Sequence, residues 1–230
     1  MALFVVGSVL RRRCHGQTGL STGPNGLLCF AMGSTAQTST AEAPAAEPST
    51  RPADRLVRTA AKLFASQGIR AVGIDQILRE AGVAKASLYS TYGSKDALVV
   101  AYLSDLDQAD RNRWLRAATE VADEVDKVLL FFDLAAKAAV ARDFRGCLYA
   151  NAATEFPGVE FEPVVAHRRW LVQTVAGLLA DAGATNPDEL ARDIQLLYDG
   201  ALVGSKISRS IEPITQARAW AAQRIATERV

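Results

Sequence analysis

The chain has 230 residues, 49% hydrophobic and 22% charged, with a formal net charge of +1. That is enough to bury a sizeable core, and no apolar run approaches the roughly 20 residues of a membrane-spanning helix. Three cysteines (Cys14, Cys29, Cys147) without a C-x-x-C pair and two histidines (His15, His167) exclude a disulfide scaffold, a thiolate zinc site and an imidazole-rich metal centre. The small net charge conceals a segregation. Residues 51–103 carry eight basic and four acidic side chains, a net of +4, whereas 104–230 carry a net of −4. A basic block on an acidic body suits a polyanionic partner, and it equally suits an ordinary solvated helical face.

Residues 1–49 read as an unfolded extension. The apolar start at Met1–Leu10 is followed, not preceded, by Arg11–Arg13, the reverse of a signal peptide. Residues 33–50, GSTAQTSTAEAPAAEPST, contain no large apolar side chain whose burial would offset the entropy of ordering them. Met32, at the head of that tract, is a second candidate for the start of translation; the alternative is a genuine flexible arm.

From Thr50 onward the pattern is helical. Leu56, Ala60, Leu63 and Phe64 fall on one stripe, with Thr50 placed to cap, Pro52 in the first turn and Gly68 as the stop. A short second helix spans Ile74–Ala81 and ends at Gly82. A third runs from Lys85 until Gly93, and Ser94 caps a long fourth, with Asp96 in its first turn where the macrodipole favours negative charge. Later stripes are Val125, Val128, Leu129, Phe132, Ala136 and Ala139, then Val164, Leu171, Val172, Val175, Leu178 and Leu179. Asn186-Pro187 reads as a capping Asn with Pro at the first helical position. It opens a helix carrying Leu190, Ile194, Leu197, Tyr198, Ala201 and Leu202. Pro213 interrupts, and a last helix carries Trp220 and Ile225. The expected fold is all-α. It has an N-terminal three-helix unit over 50–95 and a larger helical body over 96–230.

Two short helices meeting at Ala81-Gly82-Val83 are the arrangement of a helix-turn-helix, because glycine at the corner permits the positive φ where the chain reverses. Spacing alone is weak support, since many bundles contain it. The residues are more specific. The run from Gly82 to Leu98, GVAKASLYSTYGSKDAL, resembles the DNA-binding signature of the TetR/AcrR family of bacterial transcriptional regulators, G-V-S-K-G-T-L-Y-H-H-F-P-S-K-E-A-L. The resemblance reaches back through Ile77, Gly68 and Leu63-Phe64 and covers about fifty residues.

The resemblance implies a DNA-facing set of Lys85, Ala86, Ser87, Tyr89, Ser90, Thr91 and Lys95. Lys85 would reach a guanine edge or a phosphate, Ser87 a phosphate, and Tyr89 the backbone or a thymine methyl. Thr91 stands at a common histidine that contacts backbone or base, and Lys95 at a lysine that contacts phosphate. Phosphate contacts position and base contacts specify, so Lys85, Tyr89 and Thr91 are the expected readers. Leu88 and Val83 are expected core residues, and Tyr92 is expected to pack inside the three-helix unit. Ala84 departs from the usual capping Ser, and Gly73 from a Ser or Thr that bonds phosphate.

For the body, the resemblance implies a homodimer through helices near 187–209 and 214–228, a palindromic double-stranded DNA operator, a small-molecule effector and a cytoplasmic location. Trp114, Tyr149, Asn151, Trp170 and Tyr198 are the candidate ligand-binding residues. Asn151 stands out as polar in an Ala-rich stretch, with solvent as its alternative environment. His167-Arg168-Arg169 reads as a solvated face with Trp170 turned inward, and Cys147 as a small buried hydrophobe. No catalytic residue, cofactor or metal is expected: H-E-x-x-H, G-x-S-x-G, a Walker loop and G-x-G-x-x-G are all missing. The reading is a DNA-binding regulator, most readily a repressor released by a ligand. An activator, or a protein-binding module on the same fold, is the alternative.

Overall fold

A computed structural model describes residues 51–228. The expectations for the extension, for Met32 and for the Thr50 cap lie outside the described residues. Nine helices and no strand are present among the described residues: α1 Pro52–Gln67, α2 Ile74–Ala81, α3 Lys85–Tyr92, α4 Lys95–Ala118, α5 Glu124–Ala141, α6 Leu148–Glu155, α7 Glu162–Asp181, α8 Pro187–Ser208 and α9 Glu212–Glu228. No described helix is long and apolar enough to cross a membrane.

The short helices end where glycine allows the chain to turn. Gly82 is left-handed (φ 60°, ψ 42°), which brings the Val83 N–H 3.1 Å from the Leu78 carbonyl and reverses the chain between α2 and α3. Gly93 ends α3 at φ 76°. Ser94 accepts a hydrogen bond from the Ala97 N–H at 3.0 Å, satisfying one orphan donor of α4. Ala84 and Gly73, by contrast, begin α3 and α2 without a side-chain cap.

Two starts differ from expectation. Asn186 makes no side-chain cap; at φ −128°, ψ 70° its backbone lies away from the extended conformation of a capping residue, and its carbonyl alone accepts from Leu190 N–H. Pro213 does not precede α9 but occupies its first turn, where its missing N–H costs nothing. A Cβ on Gly204 of α8 would lie 3.0 Å from Pro213 Cβ, so this glycine permits α8 and α9 to approach.

Two apolar clusters organise the helices. The larger joins Trp114 to the inner faces of α5, α7, α8 and α9, centred on Phe132, Val128, Leu179, Leu190 and Ile225. The smaller is built from Leu56, Phe64, Ile77 and Leu88 of the first three helices with Leu98, Tyr102 and Leu103 of α4, and it also takes in Tyr149, Ala152 and Phe161. Cys147 borders both clusters, and burial pushes its thiol up, as suits a small apolar residue. Burial likewise raises the Tyr102 hydroxyl to about 12.

Candidate DNA-reading head and effector cavity

The head presents α3 outward. Leu88 is its one fully buried residue, while Lys85, Ala86, Tyr89, Ser90 and Thr91 are exposed and Ser87 is half-buried. The exposed α3 face is therefore small and polar around one large ring, Tyr89, which is 45% exposed. Lys85 lies 3.8 Å from Asp75, with both side chains well exposed; such a pair is worth little and yields readily to a phosphate or base. Ser90 Oγ donates back to the Ser87 carbonyl.

What holds α3 in place comes from α1. Tyr92 Oη donates to the Ala53 carbonyl at 3.1 Å, placing Tyr92 against the head core as expected. Arg55 Nη2 donates to the Gly82 carbonyl at 2.7 Å, pinning the corner of the helix-turn-helix. No local pattern announces Arg55, because its partner is 27 residues away. Lys95, expected at a phosphate, also has a partner within the chain: its Nζ donates to the Ile69 carbonyl at 2.8 Å and lies 5.9 Å from the Phe64 ring centre. Desolvation lowers its pKa, opposed by Asp96 and Glu155. As the first residue of α4 it reaches the Ile69 carbonyl in the segment after α1.

The body holds a partly open cavity of about 90 Å³. Trp114, Tyr149, Trp170 and Tyr198 line it, along with Phe131 and His167. Asn151 does not. Its Nδ2 donates to the Arg145 carbonyl at 2.9 Å and its Oδ1 accepts from Lys206 at 2.8 Å, so its polarity is spent on holding the segment before α6.

His167 overturns the solvated face expected of it. Its Nδ1 lies 2.8 Å from Asp107 Oδ1, and its ring stacks on Tyr149 with centroids 3.9 Å apart and planes at 15°. Only Arg168 and Arg169 point away; Arg168 pairs with Asp199. Asp107 is also held by Arg111, whose Nε donates to Oδ1 at 2.8 Å and whose Nη2 lies 2.8 Å from Oδ2, and Asp110 accepts from Tyr149 Oη at 3.0 Å. Burial and the neighbouring carboxylates hold the Tyr149 hydroxyl protonated throughout the physiological range.

Desolvation lowers the His167 pKa, with Asp107 and Asp110 opposing and Arg111 reinforcing it. A depressed folded-state value means that the unfolded chain binds the proton first. The stability this neutral ring contributes is present above the usual value of about 6.5 and is lost as pH falls through the lower folded-state value. The melting temperature is expected to drop between pH 7 and pH 5.5, and His167→Gln should flatten that part of the profile; an unchanged profile would contradict the assignment.

An outward-facing short helix on a basic head, braced by a left-handed glycine corner, has the geometry of a helix-turn-helix. Comparison with known proteins agrees. The family description "Bacterial regulatory proteins, tetR family" matches residues 56–102. The crystal structure of SCO4454, a TetR-family transcriptional regulator from Streptomyces coelicolor, superposes with a TM-score of 0.70 at 29% identity over 77% of this chain and 95% of that one. A putative TetR regulator from Streptomyces avermitilis gives 0.70 at 26% identity over 78% and 98%. Among curated proteins, the uncharacterized HTH-type transcriptional regulator YxaF of Bacillus subtilis is 29% identical over 79 residues; the match covers 34% of this chain and 41% of that relative's length. Residues 56–102 thus match the DNA-binding region of the tetR family of bacterial regulatory proteins, and the described helices share the fold of TetR-family transcriptional regulators.

Proposed function

We propose that the protein is a homodimeric repressor that a small molecule releases from a palindromic operator. The observation that carries the reading is the α3 surface: Leu88 and Tyr92 hold the helix against the head core, Ser87 is half-buried, and Lys85, Ala86, Tyr89, Ser90 and Thr91 face out. In this reading residues 50–95 are the reading head and 96–230 the effector and dimer body, with residues 1–49 an extension preceding them. Lys85, Tyr89 and Thr91 read bases, Ser87 contacts phosphate, and Ala86 and Ser90 let the helix sit close to the groove floor. Lys95 keeps two of its three N–H donors for a phosphate while the third braces Ile69.

The dimer reading rests on an apolar row left bare on α8. Leu196, Val203 and Ile207 are all more than half exposed, and with Gly200 they recur at helical spacing along one face. A Cβ on Gly200 would meet nothing in its own chain, which leaves room there for a neighbouring helix. Half-exposed Trp220 on α9 borders the same groove as Leu196. Two heads held this way meet successive major grooves about 34–36 Å apart.

The link from cavity to head is α6. Tyr149 lines the cavity and packs in the head cluster with Ala152, and Glu155 accepts the Arg70 backbone N–H at 2.7 Å. Arg145, just before α6, donates to the Ala65 carbonyl at 3.1 Å. A ligand that displaces Tyr149 therefore moves the helix that grips the turn after α1, and differential binding to the two positions shifts the equilibrium.

Selection of bound duplexes from a random DNA library with the purified protein tests the reading. The expected result is an enriched palindrome whose binding constant falls linearly in log–log with salt. No enrichment, with a dimer confirmed, would overturn it in favour of a protein-binding module.

A further inference from the structure

The polar half of the cavity carries a charge imbalance. Arg113 and Arg142 both face it, and the one carboxylate between them is Asp110. Asp110 is already well used: Oδ1 accepts from Arg113 Nη1 at 2.6 Å and Oδ2 from Tyr149 Oη at 3.0 Å. Arg142 reaches the same Oδ1 only at 3.5 Å, and its guanidinium makes no hydrogen bond to any described side chain or carbonyl. It is 28% exposed, partly desolvated and one full charge in excess of its surroundings. The second acid nearby does not correct this, because Asp107 is taken by Arg111 and His167.

The aromatic half argues against a cationic ligand. Trp170 already has the Arg111 guanidinium 5.1 Å from its ring centre, Trp114 stacks on Phe131 at 5.0 Å, and Tyr149 is covered by His167. One electron-rich face of each ring is thus occupied, and a second cation would add to the existing positive excess.

We propose that the effector is a small aromatic carboxylate whose ring sits among Trp114, Trp170 and Tyr149 and whose carboxylate pairs with Arg142. Planar, bidentate recognition of a carboxylate is what a guanidinium does best, and the aromatic lining suits a planar ring beside it. This inference rests on the reading of the cavity as the effector site. It adds the sign of the ligand's charge and the residue that selects it.

The test is calorimetric titration of the full chain with benzoate, phenylacetate and 4-hydroxybenzoate, each beside its amide and its amine counterpart. The carboxylates should bind about tenfold or more tightly than the amides, with the amines weakest. Arg142→Gln should bring acid and amide to parity. Asp110→Asn removes the competing carboxylate and should tighten acid binding several-fold, an opposite shift that no folding defect produces. Amides or amines binding as tightly as the acids, or a preference that survives Arg142→Gln, would overturn the charge assignment while leaving the cavity as an effector site. Failure of all nine compounds to bind would overturn both.

Discussion

Replacing Leu196 and Ile207 together by glutamate should convert the protein to a monomer on light scattering and cost operator affinity roughly 10²–10⁴-fold. The two side chains are 71% and 79% exposed, so in the isolated chain the substitutions leave the core intact and stability within about 0.5 kcal/mol. In a dimer they would bury unpaired carboxylates against each other, which is strongly unfavourable. Loss of the second head removes the effective concentration that makes two half-sites one site, and no new contact is needed to explain the drop. The melting temperature measured at low protein concentration should barely change, which separates this outcome from misfolding. Deleting residues 1–49 should leave the dimer intact, because the apolar row lies entirely in α8 and α9. A double variant that stays dimeric would place the interface elsewhere.

The head was legible in the sequence because its boundaries are local events. Gly82 and Gly93 take backbone conformations with positive φ, so α2 and α3 end where the glycines stand, and Ser94 caps α4 through a hydroxyl three residues from its donor. The body was legible as stripes of apolar residues, but its polar interior was not. His167 was assigned to the face of its neighbours Arg168 and Arg169, yet its own helical neighbours are Pro163, Trp170 and Leu171 at i−4, i+3 and i+4. Pro163 and Leu171 are buried and Trp170 packs against the core, and that spacing was the available signal. Asp107, Asp110, Arg111 and Trp114 share a face of α4 in the same way, and a charged residue beside a buried tryptophan pointed to an inward-facing network. Asn151, Arg55 and Arg142 are different. Their contacts depend on partners brought together by the fold: a lysine 55 residues on for Asn151, a turn carbonyl 27 residues on for Arg55, and an aspartate on another helix for Arg142. Periodicity carries no information about such pairs.

Adjacent residues on α3 should fail in opposite ways. Leu88→Ala removes a fully buried side chain from the head cluster, a change that costs about 2–5 kcal/mol where the surroundings relax only partly. Leu88 packs where α1, α2 and α4 converge, so its loss loosens the platform on which the whole reading surface is mounted. Denaturant unfolding should show the deficit directly, and DNA binding should fall for all sequences alike. Tyr89→Ala takes away a half-exposed ring, so stability should hold within about 0.5 kcal/mol, while operator affinity falls and the drop is greatest for the preferred duplex. The comparison distinguishes a helix that reads from one that merely packs. If Tyr89→Ala destabilised the fold as much as Leu88→Ala, or left discrimination between duplexes unchanged, α3 would be a structural helix and its exposed face would need another partner. Both variants keep the aromatic cavity intact, so aromatic acids should still bind in calorimetry even when the head no longer holds DNA.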